Sequence, residues 1–191
     1  MQVGLLVLIV YGVVDGHPKA ISNGTISLGI TLLPAVLERN YEFPLDPWLA
    51  MWIASAVFLH SLGSAGLYGS IPWWDHLTHA LSASLVAGVG YTATRAVDLH
   101  SDDITIPTRY AFAYLFVIVL AFGVIWELFE FGLDVLTRAT GFPMPLAQHG
   151  LEDTVMDLVF NAIGAALVAA FGQAHLRGTA ERLLDRYRTA D

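Results

Sequence analysis

The chain has 191 residues, 55% of them hydrophobic and only 14% charged, with a mean hydropathy of +0.60. Soluble domains carry about 25% charged residues, so this composition excludes an ordinary water-soluble globule and marks an all-α, polytopic membrane helix bundle. The formal net charge is −8, and the absence of cysteine excludes both a disulfide framework and a thiolate metal site.

In chain order, Gln2 to Val14 is an apolar segment of about a dozen residues. That is below the ~20 needed to cross a hydrocarbon core. It lacks the basic start and small-residue cleavage pattern of a signal peptide, so a short first span is expected. Ala20 to Leu37 is a second short span. Pro47 to Tyr68, opening on a proline, is a third. Trp73 to Val97 follows the Ile71-Pro72-Trp73-Trp74 turn as a fourth. Thr108 to Leu136 starts just after Pro107 as a fifth, and Asp153 to Leu176 is a sixth. About six transmembrane helices then form one domain over 1–176, followed by a charged cytoplasmic tail over 177–191.

Basic residues favour the cytoplasmic side. With six spans and both termini inside, Arg39, Arg95, Arg109, Arg177, Arg182, Arg186 and Arg188 lie inside, and only Lys19 and Arg138 lie outside. A multi-pass protein of the inner or plasma membrane is the expected setting. Tyr68, Trp73 and Trp74 then fall in an outer aromatic belt.

Against this apolar background stand three polar clusters: Asp75 with His76 and His79; Glu127, Glu130 and Asp134; Asp153 and Asp157 with Asn161. Removing their six acids leaves eleven acidic residues against nine basic ones, so most of the net charge belongs to the clusters. An ionisable group in a bilayer costs roughly 2.5–3.5 kcal/mol on insertion scales, and such groups usually mark function. The orientation puts all three clusters in the outer part of their spans. Side chains three or four apart share a helix face. Asp75 and His79 are i, i+4; Glu127, Glu130 and Asp134 run i, i+3, i+7; Asp153, Asp157 and Asn161 run i, i+4, i+8. Gly164 lies three further on, where a neighbouring helix can approach.

Carboxylates with imidazole suit Zn, Fe or Mn, and all-oxygen sets suit Mg. His79, Glu127, Glu130, Asp134, Asp153 and Asp157 are the expected ligands of a divalent metal ion. Asp75, His76 and Asn161 are the expected orienting or acid–base groups. Blander readings exist. Asp75 suits an N-cap. Glu152 and Asp153 suit the dipole at a helix start. Asp134 suits a water boundary. His60 reads as a packing polar, and His149, in the outer loop from Gly141 to Gly150, as a weak candidate. Glu127, Glu130, Asp157 and Asn161 resist such readings because their surroundings are apolar.

The series Trp74-Asp75-x-x-x-His79, Trp126-Glu127-x-x-Glu130 and Asp153-Thr154-x-x-Asp157-x-x-x-Asn161-x-x-Gly164 resembles the YjdF-type family of inner-membrane proteins. More distantly it is similar to VanZ-like proteins, which show Asp-x-x-x-His, a Glu-containing helix and Asp-x-x-x-Asn-x-x-Gly. The likeness covers about Trp73 to Gly172 and implies mainly fold and membrane location. Glu130 stands where VanZ-like helices often carry Gln.

Three functions compete. The first is a metal-dependent membrane enzyme, a hydrolase or transferase acting on lipid or a lipid-linked substrate at the outer leaflet. The second is a cation- or proton-coupled transporter, which needs a polar route to the cytoplasmic side. The third is a non-catalytic envelope accessory protein whose acids hold helices together. Membrane lipids are the expected surroundings, and no basic patch supports nucleic-acid binding.

Overall fold

A computed structural model of the protein describes residues 1–41, 45–100, 107–142, 144, 146 and 150–190. Among them it is helical throughout: α1 (Gln2–Asp15), α2 (Pro18–Tyr41), α3 (Pro47–Leu62), the short α4 (Tyr68–Ser70), α5 (Trp74–His100), α6 (Thr108–Thr140) and α7 (Leu151–Ala190). The fold class expected from composition is the one observed. Among the described residues, four stretches are long and apolar enough to cross a membrane: Pro18–Asn40, Pro47–Ser70, Phe112–Thr140 and Leu151–Phe171. With 14 residues, α1 reaches about 21 Å at ~1.5 Å per residue, short of the ~30 Å hydrocarbon thickness. Conversely, α2 and α7 run past their expected ends, to Tyr41 and Ala190. In α2 the helix carries Pro34 in its interior rather than stopping near it.

Local chemistry sets several boundaries. The Asp46 carboxylate accepts the Trp48 N–H at 2.9 Å and Pro47 follows it, the usual opening for a helix. The end of α1 is Gly16, in the left-handed region at φ 66°. Gly141, at φ 73°, sits just past the end of α6 and donates its N–H to the Thr137 carbonyl. Between α3 and α4 a five-residue π-turn, Gly63–Leu67, contains Gly66 at φ 144°, ψ −12°. Only glycine enters that region freely, so Gly66 bends what the sequence presents as one continuous span.

Packing divides the chain into two units, Met1–Thr78 with Glu127–Thr154, and His79–Trp126 with Val155–Asp191. In the first, α1, α2 and α3 pack on one another. Gly4 lets Phe58 lie on α1, Gly12 admits Ile21, and Gly24 admits Ile9. Small residues of this kind bring helix backbones together in membranes. In the second, Gly164 of α7 lies directly on the Ala80 carbonyl and the Ser84 amide of α5, where no side chain fits.

Large apolar side chains face outward in number, including Val3, Val7, Val14, Val117, Leu128 and Phe171. Several of the buried positions are polar. This inside-out distribution is what lipid permits, since the hydrocarbon is as apolar as any core.

Candidate metal centre

The acids lie on the buried stripes of their helices. On α6 the buried residues are Leu115, Val119, Gly123, Glu127 and Glu130, a run spaced by fours and one three. The stripe is apolar at its start and acidic at its end. Glu127 and Glu130 are 4% and 8% exposed, while Leu128 between them is 65% exposed. Placing the charges inward and the leucine outward is the reverse of a soluble amphipathic helix. The buried stripe of α7 is Asp157, Asn161, Gly164, Ala165, Val168 and Ala169, again polar first and apolar after. On α5 it is Thr78, Ala83, Ser84, Ala87, Gly88 and Gly90, with Asp75, His76 and His79 half-buried before and beside it.

In the second unit the structure brings His79 to Asp157. The His79 Nε2 lies 3.7 Å from the Asp157 Oδ2, and Asp157 is only 1% exposed. That gap is too long for a hydrogen bond. It approaches the ~3.0–3.4 Å between two ligands of one ion held by bonds of ~2.1 Å. One turn beyond Asp157, the Asn161 amide packs against Gly123 of α6, where a Cβ at Gly123 would come within 2.7 Å of Asn161 Nδ2. Gly123 therefore makes room for Asn161, and Gly164 sets the α5–α7 approach that lets His79 meet Asp157. On α5, Asp75 precedes His79 by one helical turn. Asp75, His79 and Asp157 each offer a ligand atom of the type that holds divalent ions.

In the first unit the Glu127 Oε2 accepts the Thr154 hydroxyl at 2.8 Å, while its buried Oε1 has no hydrogen-bond partner among the described residues. A buried carboxylate oxygen in that state incurs a desolvation cost. Thr154 was quoted in the motif but not expected as a site residue; it lies three residues before Asp157 and hydroxyl chemistry alone gives no reason to choose it. Asp134 is half-buried and 3.9 Å from the guanidinium of Arg138, its i+4 neighbour on α6. Glu152 and Asp153 occupy the first turn of α7, where the helix dipole favours acids. Asp75 also falls inside the first turn of α5, so it is a helical residue rather than the N-cap. His76 is half-buried in the same turn. His149 lies outside the described residues.

Sequence reading also missed the surroundings of His60. Its Nδ1 is 2.7 Å from the Tyr68 hydroxyl, which lies 3.3 Å from Thr78 Oγ1. Trp74 donates its indole N–H to the Leu59 carbonyl at 3.0 Å, while its neighbour Trp73 is exposed. Both Tyr68 and Trp74 were expected only as aromatic-belt residues. A tyrosine eight residues after a histidine carries no signal until the bend at Gly66 is known.

With helices as its only regular structure among the described residues, lipid-compatible exteriors and acids turned inward, this is a membrane protein. The chain belongs to the family described as "Predicted membrane protein (DUF2238)", whose model matches residues 1–178. It is also 28% identical over 138 residues to an uncharacterized protein of Thermotoga maritima, covering 71% of this chain and 67% of that one. No solved structure matches the chain.

Proposed function

We propose that this membrane protein holds a divalent cation at His79 and Asp157, with Asp75 one turn earlier on α5, and uses it on a lipid or lipid-linked substrate. The observation that carries the reading is the pairing of a buried aspartate with an imidazole 3.7 Å away. A buried carboxylate facing an imidazole is balanced either by the imidazolium or by a cation held between the two. A cation does so in a geometry that a direct hydrogen bond does not fill. The donor set, two carboxylates and one imidazole, suits Zn, Mn or Fe better than a thiolate-seeking ion.

When bound, such an ion polarises a phosphoryl or carbonyl oxygen or activates water. The residues of the chain supply the rest. Asp157 and His79 place the charge. Asn161, seated on Gly123, keeps an amide one turn from Asp157. Glu127 and Glu130, buried on α6, are further groups of acid–base chemistry within their own unit.

The positive-inside bias supports six crossings with both termini cytoplasmic, and a site opening toward the outer leaflet of the cell membrane. Likeness of the motif to YjdF-type and, more distantly, VanZ-like proteins supports the same envelope-facing placement. A transport reading is less well supported. In the second unit the buried positions beyond the acids are mostly small or apolar, namely Ala83, Ala87, Leu115, Val119, Ala165 and Val168. Ser84, Thr92 and Thr94 turn their hydroxyls back onto carbonyls of their own helix, at 2.6–2.9 Å.

The test is elemental analysis and Mn2+ or Zn2+ titration of the purified protein in lipid nanodiscs. Near-stoichiometric uptake, abolished in Asp157→Asn and His79→Ala, is expected. Absence of uptake by the wild-type protein overturns the reading. Substrate flux across proteoliposomes moves it to the transport class.

A further inference from the structure

We infer that Tyr68 and His60 are positioning residues for the proposed cation site, acting through a hydrogen-bonded chain that ends on the backbone of Asp75. The inference rests on the metal reading above and deepens it.

The chain is built by the bend at Gly66. A regular helix through 63–68 would carry Tyr68 away from its own preceding turns. With Gly66 at φ 144° the helix kinks, and the Tyr68 ring comes to lie over Gly63, in the space a side chain at 63 would fill. Two glycines are thus required for one tyrosine. π-Turns are often found at functional positions rather than in plain scaffolding.

The Tyr68 hydroxyl then lies between α3 and α5, 2.7 Å from His60 Nδ1 and 3.3 Å from Thr78 Oγ1. Thr78, only 2% exposed, donates to the Asp75 carbonyl at 2.8 Å. Counting protons orders the chain. A carbonyl only accepts, so the single Thr78 proton goes to Asp75. Thr78 therefore accepts from Tyr68, and Tyr68 accepts from His60 Nδ1–H. Each hydroxyl donates once and accepts once. A second tie runs in parallel, from the Trp74 indole to the carbonyl of Leu59. Residues 59 and 60 of α3 thereby hold residues 74, 75 and 78 of α5. That turn carries Asp75 and leads directly into His79.

Partners behind the first ligands commonly decide how well a metal is held, and their loss costs roughly 10–100-fold in affinity. The chain from His60 to Asp75 has that character: it touches the backbone of the α5 turn that leads into His79, not the ion.

The experiment measures Mn2+ and Zn2+ affinity of full-length protein in nanodiscs for the wild type and four variants. Tyr68→Phe keeps the ring over Gly63 and removes only the hydroxyl; Thr78→Val keeps the shape and removes the link to Asp75. Both are expected to lose about 10–100-fold in affinity. His60→Leu is expected to match them, and His60→Asn, whose amide can occupy the Nδ1 position, to recover most of the affinity. Amide exchange in the first two turns of α5 should quicken in the three weakened variants and not in His60→Asn. Should Tyr68→Phe fail to fold, Thr78→Val and the His60 pair decide. Wild-type affinity in both Tyr68→Phe and Thr78→Val overturns the inference while leaving the metal reading standing. His60→Asn as weak as His60→Leu also overturns it, because His60 then acts by its own ring as ligand or base. No uptake by the wild type overturns the metal reading, and this inference with it.

Discussion

Two buried polar groups in the molecule differ in kind. Between α2 and α3, the Ser61 hydroxyl lies 2.7 Å from the Ser27 hydroxyl, 2.9 Å from the Val57 carbonyl and 3.3 Å from the Asn23 carbonyl. Ser27 reaches the Val57 carbonyl and Asn23 the Lys19 carbonyl. Every group there is neutral, short and able both to give and to take a proton, so the cluster closes on itself and on nearby backbone. Between α5 and α7, an aspartate meets an imidazole across 3.7 Å. A carboxylate only accepts, and its charge must be balanced in low dielectric. Burial of polarity is therefore not itself a sign of function in this fold. Burial of charge is.

The comparison breaks most readily at Asp157. Asp157→Asn keeps shape and removes charge, and divalent affinity should fall more than 100-fold, about 2.8 kcal/mol at ~1.4 kcal/mol per decade. An unchanged titration would make the α5–α7 pair equivalent to the serine cluster. Next is the effect of the ion on stability. At a free concentration ~100 times its Kd, a bound cation adds about 2.7 kcal/mol. Chelation should lower the melting temperature of the wild type and leave Asp157→Asn and His79→Ala unmoved. A third contrast is steric. Gly164→Val pushes a side chain into the Ala80 carbonyl, and overpacking of this kind costs about 1–3 kcal/mol. It should weaken metal binding and lower thermal stability even in chelator, whereas Asp157→Asn should lower stability only when the metal is present. The smallest effect is expected at the hydroxyl cluster. Ser61→Ala should cost about 0.6 kcal/mol, the typical value for an interhelical hydrogen bond in lipid, with no change in metal titration. A metal-binding defect in Ser61→Ala would erase the distinction between glue and site.

Much of this was legible in the residues. The alternation of Glu127 and Glu130 with Leu128 and Phe129 already placed both acids on one face, because helical periodicity is local. Pro47 announced the start of α3 for the same reason: a helix-opening proline needs only its own turn. The i, i+4, i+8 spacing of Asp153, Asp157 and Asn161 identified the polar stripe of α7. Other features were not legible. Nothing local says that Gly164 meets Ala80, or that Gly123 makes room for Asn161, since each depends on a partner elsewhere in the chain. Tyr68 is the sharpest case. By spacing it belongs at the end of a span; past the kink at Gly66 its hydroxyl meets His60 and Thr78.

The sequence by itself determined that this is a helical membrane protein, which residues are anomalous in lipid, and which face of each helix they occupy. Those follow from composition and from a period of 3.6, both properties of short stretches. Tertiary structure alone decided which anomalous residues meet. His79 faces Asp157, Glu127 takes the Thr154 hydroxyl, and the serines of α2 and α3 satisfy each other. Pairing across helices is fixed by where glycines allow backbones to approach and where the chain bends, and those conditions are set between elements rather than within them.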